Sequence, residues 1–298
     1  MKKQVIRKSL TDDLIFKAVF GRNRPECRQA LIALLNLILD RKDDPIVDIT
    51  YKNPFSISEK DEDKMIIMDI RVETQGGELI DIEMQVEVEL AYVNRSIFYG
   101  CSMLTEGLNR GENYARLKRS IVISFVKGRL FPDSENFHSV YRLYERDTHR
   151  QLADILELHY IELGKIEWRN KSPDELDELE QFGAYLYCAG DSKYETYVEE
   201  LVQTKHEGVI SMTDKVLKEV SQDEKLRENR LAREKFLVDQ GLKMTAARDA
   251  GLKEGLEEGL KKAHCQQLET ARKLKSRGFS IEDIIDITDL DPEEAESL

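Results

Sequence analysis

Two neighbouring segments of the chain, residues 64–74 and 78–89, alternate apolar and polar positions with the period of a β-strand. A glycine-containing break joins them. One face would be apolar, with Ile66, Met68, Ile70 and Val72 on the first segment and Ile80, Ile82, Met84, Val86 and Val88 on the second. The opposite face would carry Asp69, Arg71, Asp81, Glu83, Gln85 and Glu87. The pattern predicts a β-hairpin with one polar face.

The break suggests how the two strands are aligned. If the loop is Gln75-Gly76-Gly77 with a glycine at positive φ, Asp69 lies opposite Glu83. Carboxylates in directly opposed positions are close enough to share a ligand, and they repel each other unless a cation or a proton lies between them. A hard divalent cation such as magnesium takes oxygen ligands of this kind. The alternation alone favours a simpler interpretation, in which these residues are the solvent-facing side of an amphipathic hairpin.

Other patterns place the hairpin within a larger α/β domain. Apolar spacing predicts two helical segments within residues 10–39 and a helix over residues 92–110. Strands are predicted in residues 46–55 and 120–126, and again in residues 138–147 and 156–165. The leading order is helix, strand, strand, strand, helix, strand, which is typical of an α/β domain with a mixed sheet.

Several short motifs resemble a known nuclease superfamily. An Asp, a tight hairpin and then Glu-x-Gln, here Asp69, Glu83 and Gln85, resemble the active-site hairpin of the PD-(D/E)XK nucleases. The opening motif resembles the recombination-promoting nuclease and putative transposase family, a bacterial branch of that superfamily. The opening motif consists of Asp13, Phe16, Lys17 and Phe20. Two later segments also match the family: Gly111, Tyr114 and Leu117 in the first, and Glu162, Leu163 and Lys165, in the string IELGK, in the second.

The resemblance implies a restriction-endonuclease-like αβββαβ core and a metal-dependent DNA endonuclease. Asp69 and Glu83 would bind magnesium, and Asp13 would be the first-helix acid that supports the site. Gln85 stands where the superfamily usually has Lys, so it can orient a water but brings no positive charge. Two alternatives stay open: a catalytically weak or inactive nuclease-fold binding or regulatory module, and an RNA-directed nuclease.

The net charge and the distribution of basic residues bear on whether the chain binds nucleic acid. The 298-residue chain carries a formal net charge of −13, which disfavours a non-specific nucleic-acid coat protein but not a metal-dependent nuclease. Residues 110–129 nevertheless hold six basic residues and one acidic residue, which favours phosphate contact, although a solvated loop is an equal alternative. The candidate nucleic-acid contacts are Lys17, Arg95, Arg116, Lys118 and Arg119.

Cysteine use and the N-terminal sequence indicate a compartment. The four cysteines are far apart and form no CxxC pair, so we expect free thiols in a reducing environment. The basic start has no apolar signal core, and the longest apolar run is too short to span a bilayer. We expect a cytoplasmic protein.

The C-terminal third differs in composition. Residues 172–223 are strongly acidic, and residues 225–277 predict helices rich in Lys, Arg, Glu and Leu, with Gly251, Gly255 and Gly259 spaced four apart. Residues 281–298 hold eight acids and no Lys or Arg, so we expect protein contact there and not DNA binding. The composition therefore predicts a nuclease-like domain over 1–200 and a helical region over 201–298, with a homo-oligomer formed through the C-terminal helices.

Overall fold

The computed structural model describes residues 7–52, 70–89, 91–108, 111–204 and 208–298, without the side chains of 224–242, 246 and 247. Its strands are β1 Ile49–Tyr51, β2 Ile70–Thr74, β3 Leu79–Gln85, β4 Ser120–Val126, β5 His138–Tyr144 and β6 Gln151–Glu162. Its helices are α1 Asp13–Phe20, α2 Pro25–Ile38, α3 Ala91–Glu106, α4 Glu178–Cys188, α5 Glu195–Thr204, α6 Val209–Ser221, α7 Glu224–Ser276, α8 Ile281–Thr288 and α9 Pro292–Glu296.

The described strands form one mixed sheet in the order β1-β2-β3-β4-β6-β5. The hairpin β2–β3 is antiparallel, β3 pairs with β4 and β4 with β6 in parallel, and β5 returns antiparallel to β6. Parallel strands need a long crossover, and α3 provides it between β3 and β4. This order confirms the predicted αβββαβ core with a mixed sheet and adds the β5–β6 hairpin to it.

Helices cover both faces of the sheet. Ile80, Ile82 and Met84 of β3 belong to a large apolar core with residues of α1, α2, α4 and α6. The opposite face packs under α3, whose Tyr92 and Met103 join a second, smaller core. A sheet with both faces covered buries every side chain of its central strands, and β4 is buried throughout.

Local signals explain where the first helices begin. The Asp12 side chain accepts hydrogen bonds from the backbone N–H groups of Leu14 and Ile15, so Asp12 is the N-cap of α1. Pro25 opens α2, where its missing N–H costs nothing. The two predicted helical segments of residues 10–39 are confirmed, with the break between them at residues 21–24.

The chain divides into two compact units, residues 1–227 and 228–298. The boundary therefore lies later than residue 200, which the acidic composition suggested and which falls inside α5. Helix α6 belongs to the first unit because its apolar face, including Leu217, is buried in the large core. Arg7 ties the N-terminal segment to the same helix through a 2.6 Å hydrogen bond from Nε to Asp214. Acidic residues on the exposed faces of these helices concealed that packing.

In the second unit, the end of α7 packs with the two short terminal helices. Ala271 of α7, Ile284 of α8 and Leu290 form a small apolar cluster. Ser280 caps α8, because its side chain accepts a hydrogen bond from the Asp283 backbone N–H, and Gly278 before it has a φ of 88°. The predicted helical tail is therefore present, with α7 as a single long helix.

Candidate active site

The alignment of the β2–β3 hairpin is the one that the candidate metal site requires. Ile70 pairs with Ile82 and Arg71 with Asp81, and Gly77 has a φ of 83° in the connecting loop. Asp69 lies outside the described residues, so its position opposite Glu83 stays a prediction. The described pairs have the alignment on which that prediction depends.

The central part of the polar face of this hairpin is buried. Glu83 is 5% exposed, Asp81 is 0% exposed and Arg71 is 4% exposed, because α3 lies over this face. The expectation of a solvent-facing side is therefore wrong for Arg71, Asp81 and Glu83, whereas Gln85 is half-buried and Glu87 is exposed. The strand also ends at Gln85, so Val86 and Val88, predicted to continue the apolar face, are outside it and exposed.

Tyr92 of α3 covers the carboxylates. Its hydroxyl donates a hydrogen bond of 2.8 Å to the Ser124 hydroxyl, and Ser124 is the β4 residue paired with Glu83. Burial, and then the charges of Glu83 and Asp81, raise the pKa of Tyr92 well above its usual range. The phenol therefore stays protonated and contributes a neutral ring to the site.

Arg95 joins α3 to the end of β3. Its Nη2 donates a 2.7 Å hydrogen bond to Oε1 of Gln85, and its guanidinium lies 4.9 Å from the centroid of the Tyr92 ring. The Nε2 of Gln85 donates at 2.9 Å to the backbone carbonyl of Glu87. Both ends of the Gln85 amide therefore have partners within the chain.

Arg71, another cation on this face, pairs with residues other than Gln85. It lies opposite Asp81 in the hairpin and forms an ion pair with Glu106 near the end of α3. Together these residues make a mixed-charge cluster beneath α3, in which a basic and an acidic side chain are opposed across the two strands.

Asp13 and Lys17 belong to a helix on the opposite side of the sheet. Their side chains form an i,i+4 ion pair at 4.0 Å, and both are partly exposed. Phe16, which lies between them in sequence, packs on the apolar face of the sheet, where its ring centroid is 5.9 Å from that of Phe125. Glu83 is directed to the α3 face, and the roles of Asp13 and Lys17 at the candidate site stay predictions.

A comparison with known families decides the broader identity. A family model described as PD-(D/E)XK nuclease family transposase matches residues 10–247. The chain belongs to this family. No match was found among the curated proteins or among the solved structures. The predicted resemblance is confirmed, and the family points to a nuclease or transposase-like role.

The donor set of the nuclease-family site is compatible with a hard divalent cation. Glu83 supplies a carboxylate on a central strand, and Asp81 supplies another on the same face two residues away. Within the described residues, no cluster of three or more His, Cys, Asp or Glu side chains has the geometry of a metal site. Magnesium commonly uses only one or two protein carboxylates and takes its remaining ligands from water and phosphate, so the carboxylates present fit it.

Basic residues of the segment 110–129 form ion pairs with carboxylates of the same domain. Lys118 forms an ion pair with Glu73, and the hydrogen bonds from Lys118 and then Lys52 lower the pKa of Glu73. Arg119 pairs with Glu157 and contacts Glu78 at 3.2 Å. Lys118 and Arg119 therefore have structural partners, which adds a third interpretation to phosphate contact and a solvated loop.

Arg116 has a different setting. It is exposed and lines a cavity of 360 Å³ beside Arg71, Lys118 and Glu106. Arg110, which contributed to the predicted basic patch, lies outside the described residues. Of the candidate nucleic-acid contacts, Arg95 and Arg116 are the exposed arginines.

The IELGK motif of the nuclease-like domain has a structural explanation. The Glu162 and Lys165 side chains are both fully buried and form an ion pair. Glu162 also accepts hydrogen bonds from the backbone N–H groups of Leu130 and Phe131, the latter at 3.0 Å, and Lys165 donates to the Asn136 carbonyl at 3.2 Å. The motif thereby fixes the segment between β4 and β5.

A second polar cluster was missed by the sequence analysis. His159 Nε2 lies 2.5 Å from Glu157 Oε1, and its Nδ1 lies 2.9 Å from Nε2 of His138, beside a cavity of 690 Å³. Burial, and then His159, lower the pKa of His138 to about 4. Glu157 and His159 have i,i+2 spacing on β6, which would have indicated a shared face, but only the pairing of β5 with β6 brings His138 to them.

Two further expectations concern thiols and membranes. All four cysteines are free thiols, with Cys27 and Cys188 buried. Among the residues that the structure describes, no helix combines the length and the apolar character needed to cross a bilayer.

Proposed function

We propose that this chain is a magnesium-dependent DNA endonuclease of the recombination-promoting, transposase-like type, which hydrolyses phosphodiester bonds. The supporting observation is Glu83, held on a central strand of the β2–β3 hairpin with Gln85 two residues further on and α3 over the same face. Membership of a nuclease family adds the expectation of a DNA substrate.

In this proposal, Asp69 and Glu83 hold the magnesium ion, and Asp13 supports the site. When bound, magnesium lowers the pKa of a coordinated water and offsets charge on the scissile phosphate. The chain's own residues orient the reactants and exclude bulk solvent. Gln85, by its place in the motif, is the candidate to orient the attacking water.

The exposed arginines on this side of the domain are the best candidates for holding the DNA backbone. Arg95 and Arg116 are exposed, whereas Lys118 and Arg119 would have to give up carboxylate partners to bind phosphate. Lys17 would contribute from α1, at the cost of its 4.0 Å pair with Asp13. Guanidinium groups suit phosphate because they present several N–H donors in one plane.

The experiment is a supercoiled-plasmid nicking assay on the full chain with magnesium and with a chelator. We expect nicking by the wild type with magnesium, none with the chelator, and none for Glu83→Gln. Glu135→Gln is the matched control, because its side chain is 82% exposed and pairs only weakly, at 3.6 Å, with Arg129. Cleavage that persists in Glu83→Gln would show that the active site lies elsewhere.

A second candidate function is a catalytically weak or inactive binding module, which the Gln at position 85 favours because it lacks the usual positive charge. This alternative expects DNA binding by the wild type without magnesium-dependent nicking. An RNA-directed nuclease is the third possibility, and a matched single-stranded RNA and DNA pair in the same assay distinguishes it.

We also propose that the C-terminal helices drive self-association. Gly251, Gly255 and Gly259 lie on α7 with no described atom within 4 Å of the position where a Cβ would be added, and neighbouring Leu252 and Leu256 are 63% and 66% exposed. Light scattering on the full chain and on one ending at residue 223 tests this. Equal numbers of chains per particle at micromolar concentration would contradict it.

A further inference from the structure

The family motif poses a problem of charge at the site. In the resemblance described above, the third motif position usually supplies a positive charge, and Gln85 supplies none. Gln85 instead accepts a hydrogen bond from Arg95 at 2.7 Å, so a guanidinium lies beside the motif position. The cation is therefore present, but it comes from α3 and not from β3.

We propose that Arg95 supplies the positive charge at the scissile phosphate and that Gln85 is the positioning residue that holds it there. This inference rests on the proposed nuclease function. It differs from simple backbone contact by Arg95, because the guanidinium would act at the reacting phosphate. It also gives Gln85 a role through its side-chain carbonyl, in place of orienting the water.

Two contacts fix the guanidinium from different directions. The Gln85 carbonyl holds Nη2, and the Tyr92 ring lies 4.9 Å from the guanidinium carbon. Tyr92 is itself 1% exposed and donates to Ser124 at 2.8 Å, so the ring is a fixed platform. Stacking on an aromatic face and hydrogen bonding in the guanidinium plane are compatible, and together they restrict a flexible side chain.

The position of Gln85 and Arg95 relative to Glu83 suits a charge that acts at the scissile phosphate. Gln85 follows Glu83 by two residues on the same face of β3, which corresponds to about 6.6 Å along an extended strand. The Tyr92 side chain lies between the two groups, with its ring 4.9 Å from the Arg95 guanidinium and its hydroxyl hydrogen-bonded at 2.8 Å to Ser124, the β4 partner of Glu83. Arg95 is exposed, so a phosphate can reach its guanidinium.

The chemistry assigned to Arg95 is electrostatic. In the hydrolysis, the water oxygen forms a bond to phosphorus and gives up a proton, one ester P–O bond breaks, and the departing oxygen takes up a proton in exchange. The guanidinium transfers no proton in this step and acts only through its N–H groups. Its N–H groups stabilise the negative charge that grows on the phosphate oxygens.

The test compares four variants of the full chain in magnesium-dependent nicking: Arg95→Ala, Gln85→Lys, the double variant, and Arg146→Ala as control. Arg146 also carries a positive charge, but it is 91% exposed and remote from the motif in sequence. We expect Arg95→Ala to lower kcat by about 10²–10³-fold, as for loss of a donor that stabilises transition-state charge. Gln85→Lys should restore cleavage to the double variant, and Arg146→Ala should behave as wild type.

A binding measurement separates the alternatives. Fluorescence anisotropy with duplex DNA and chelator should show a much smaller effect of Arg95→Ala on Kd than its effect on kcat, because the charge acts mainly in the transition state. If Arg95 only holds the backbone, Arg95→Ala instead raises Kd and KM, lowers the salt slope by about 1, and is not rescued by Gln85→Lys. That result would overturn the inference and leave the nuclease intact. A wild type that never cleaves, or cleavage that survives Glu83→Gln, would remove the proposed function itself.

Discussion

The buried ion pair between Glu162 and Lys165 permits a quantitative test of the domain's architecture. Both side chains are 0% exposed. Replacing Lys165 by Met keeps an unbranched chain in place but leaves the Glu162 carboxylate without its cation. Breaking one side of a buried pair typically costs about 3–5 kcal/mol. Because the carboxylate still accepts from the Leu130 and Phe131 backbone N–H groups, we expect the lower end, about 3 kcal/mol.

The double variant distinguishes a pair from two independent residues. Glu162→Gln with Lys165→Met removes both charges, so no uncompensated charge remains buried. We expect it to be less destabilised than the sum of the single variants, with a coupling free energy of about 1–3 kcal/mol.

Denaturant unfolding followed by Trp168 fluorescence provides the assay, since this is the sole Trp of the chain and it stacks on Tyr197 in the same unit. Exposed Lys193→Met is the control, for which we expect a change within about 0.5 kcal/mol. Unchanged stability in Lys165→Met, or strict additivity of the two substitutions, would refute the assignment of this pair as a mutually dependent unit.

Three further predictions address backbone, pH and boundaries. Gly111 and Gly190 have φ values of 90° and 89°, but a Cβ at Gly190 would lie 2.4 Å from the backbone of the N-terminal segment. Thermal melts should therefore show that Gly190→Ala destabilises much more than Gly111→Ala, which carries only the strain of about 1 kcal/mol. The pKa of His138 is about 4 in the folded chain and 6.5 in the unfolded chain. The contribution of the neutral ring to the free energy of unfolding is therefore fully present above pH 6.5 and is lost as the pH falls towards 4. Unfolding free energy should drop by at most about 3 kcal/mol over that window, and His138→Gln should reduce the drop. A chain ending at residue 200 lacks α6 and should aggregate, whereas one ending at 223 should give a cooperative melt by circular dichroism, and equal melts would contradict the role of α6.

The hairpin and its alignment were predictable because the evidence for them is local. Period-2 alternation and a glycine at positive φ determine which residues of β2 and β3 are opposed, so Glu83 and Gln85 could be placed from the sequence. The burial of Glu83 could not, because it depends on where α3 packs after the chain leaves the hairpin. Alternation of polar residues along a strand predicts which side chains share a face of the sheet, but it does not predict whether a later helix covers that face.

Pairs of residues that are distant in sequence account for most of the other differences between the sequence-based predictions and the structure. The Arg7–Asp214 and Arg119–Glu157 contacts join residues that are remote in sequence, and each converts an apparently solvated charge into a structural one. The basic composition of residues 110–129 indicated phosphate contact because a count of charges contains no information about their partners. The Arg95–Gln85 contact was missed for the same reason, although the two residues are only ten apart.

The position of β3 divides the candidate site into a fixed part and an adjustable part. Its backbone is hydrogen-bonded to β2 on one edge and to β4 on the other, so Glu83 cannot shift without breaking two ladders of the sheet. Arg95, by contrast, reaches the site on a long side chain from an exposed turn of α3. The sheet therefore fixes the carboxylate through the backbone, whereas the guanidinium is held by the Gln85 side chain and the Tyr92 ring, so small side-chain movements can adapt it to a bound phosphate while the strand geometry is kept.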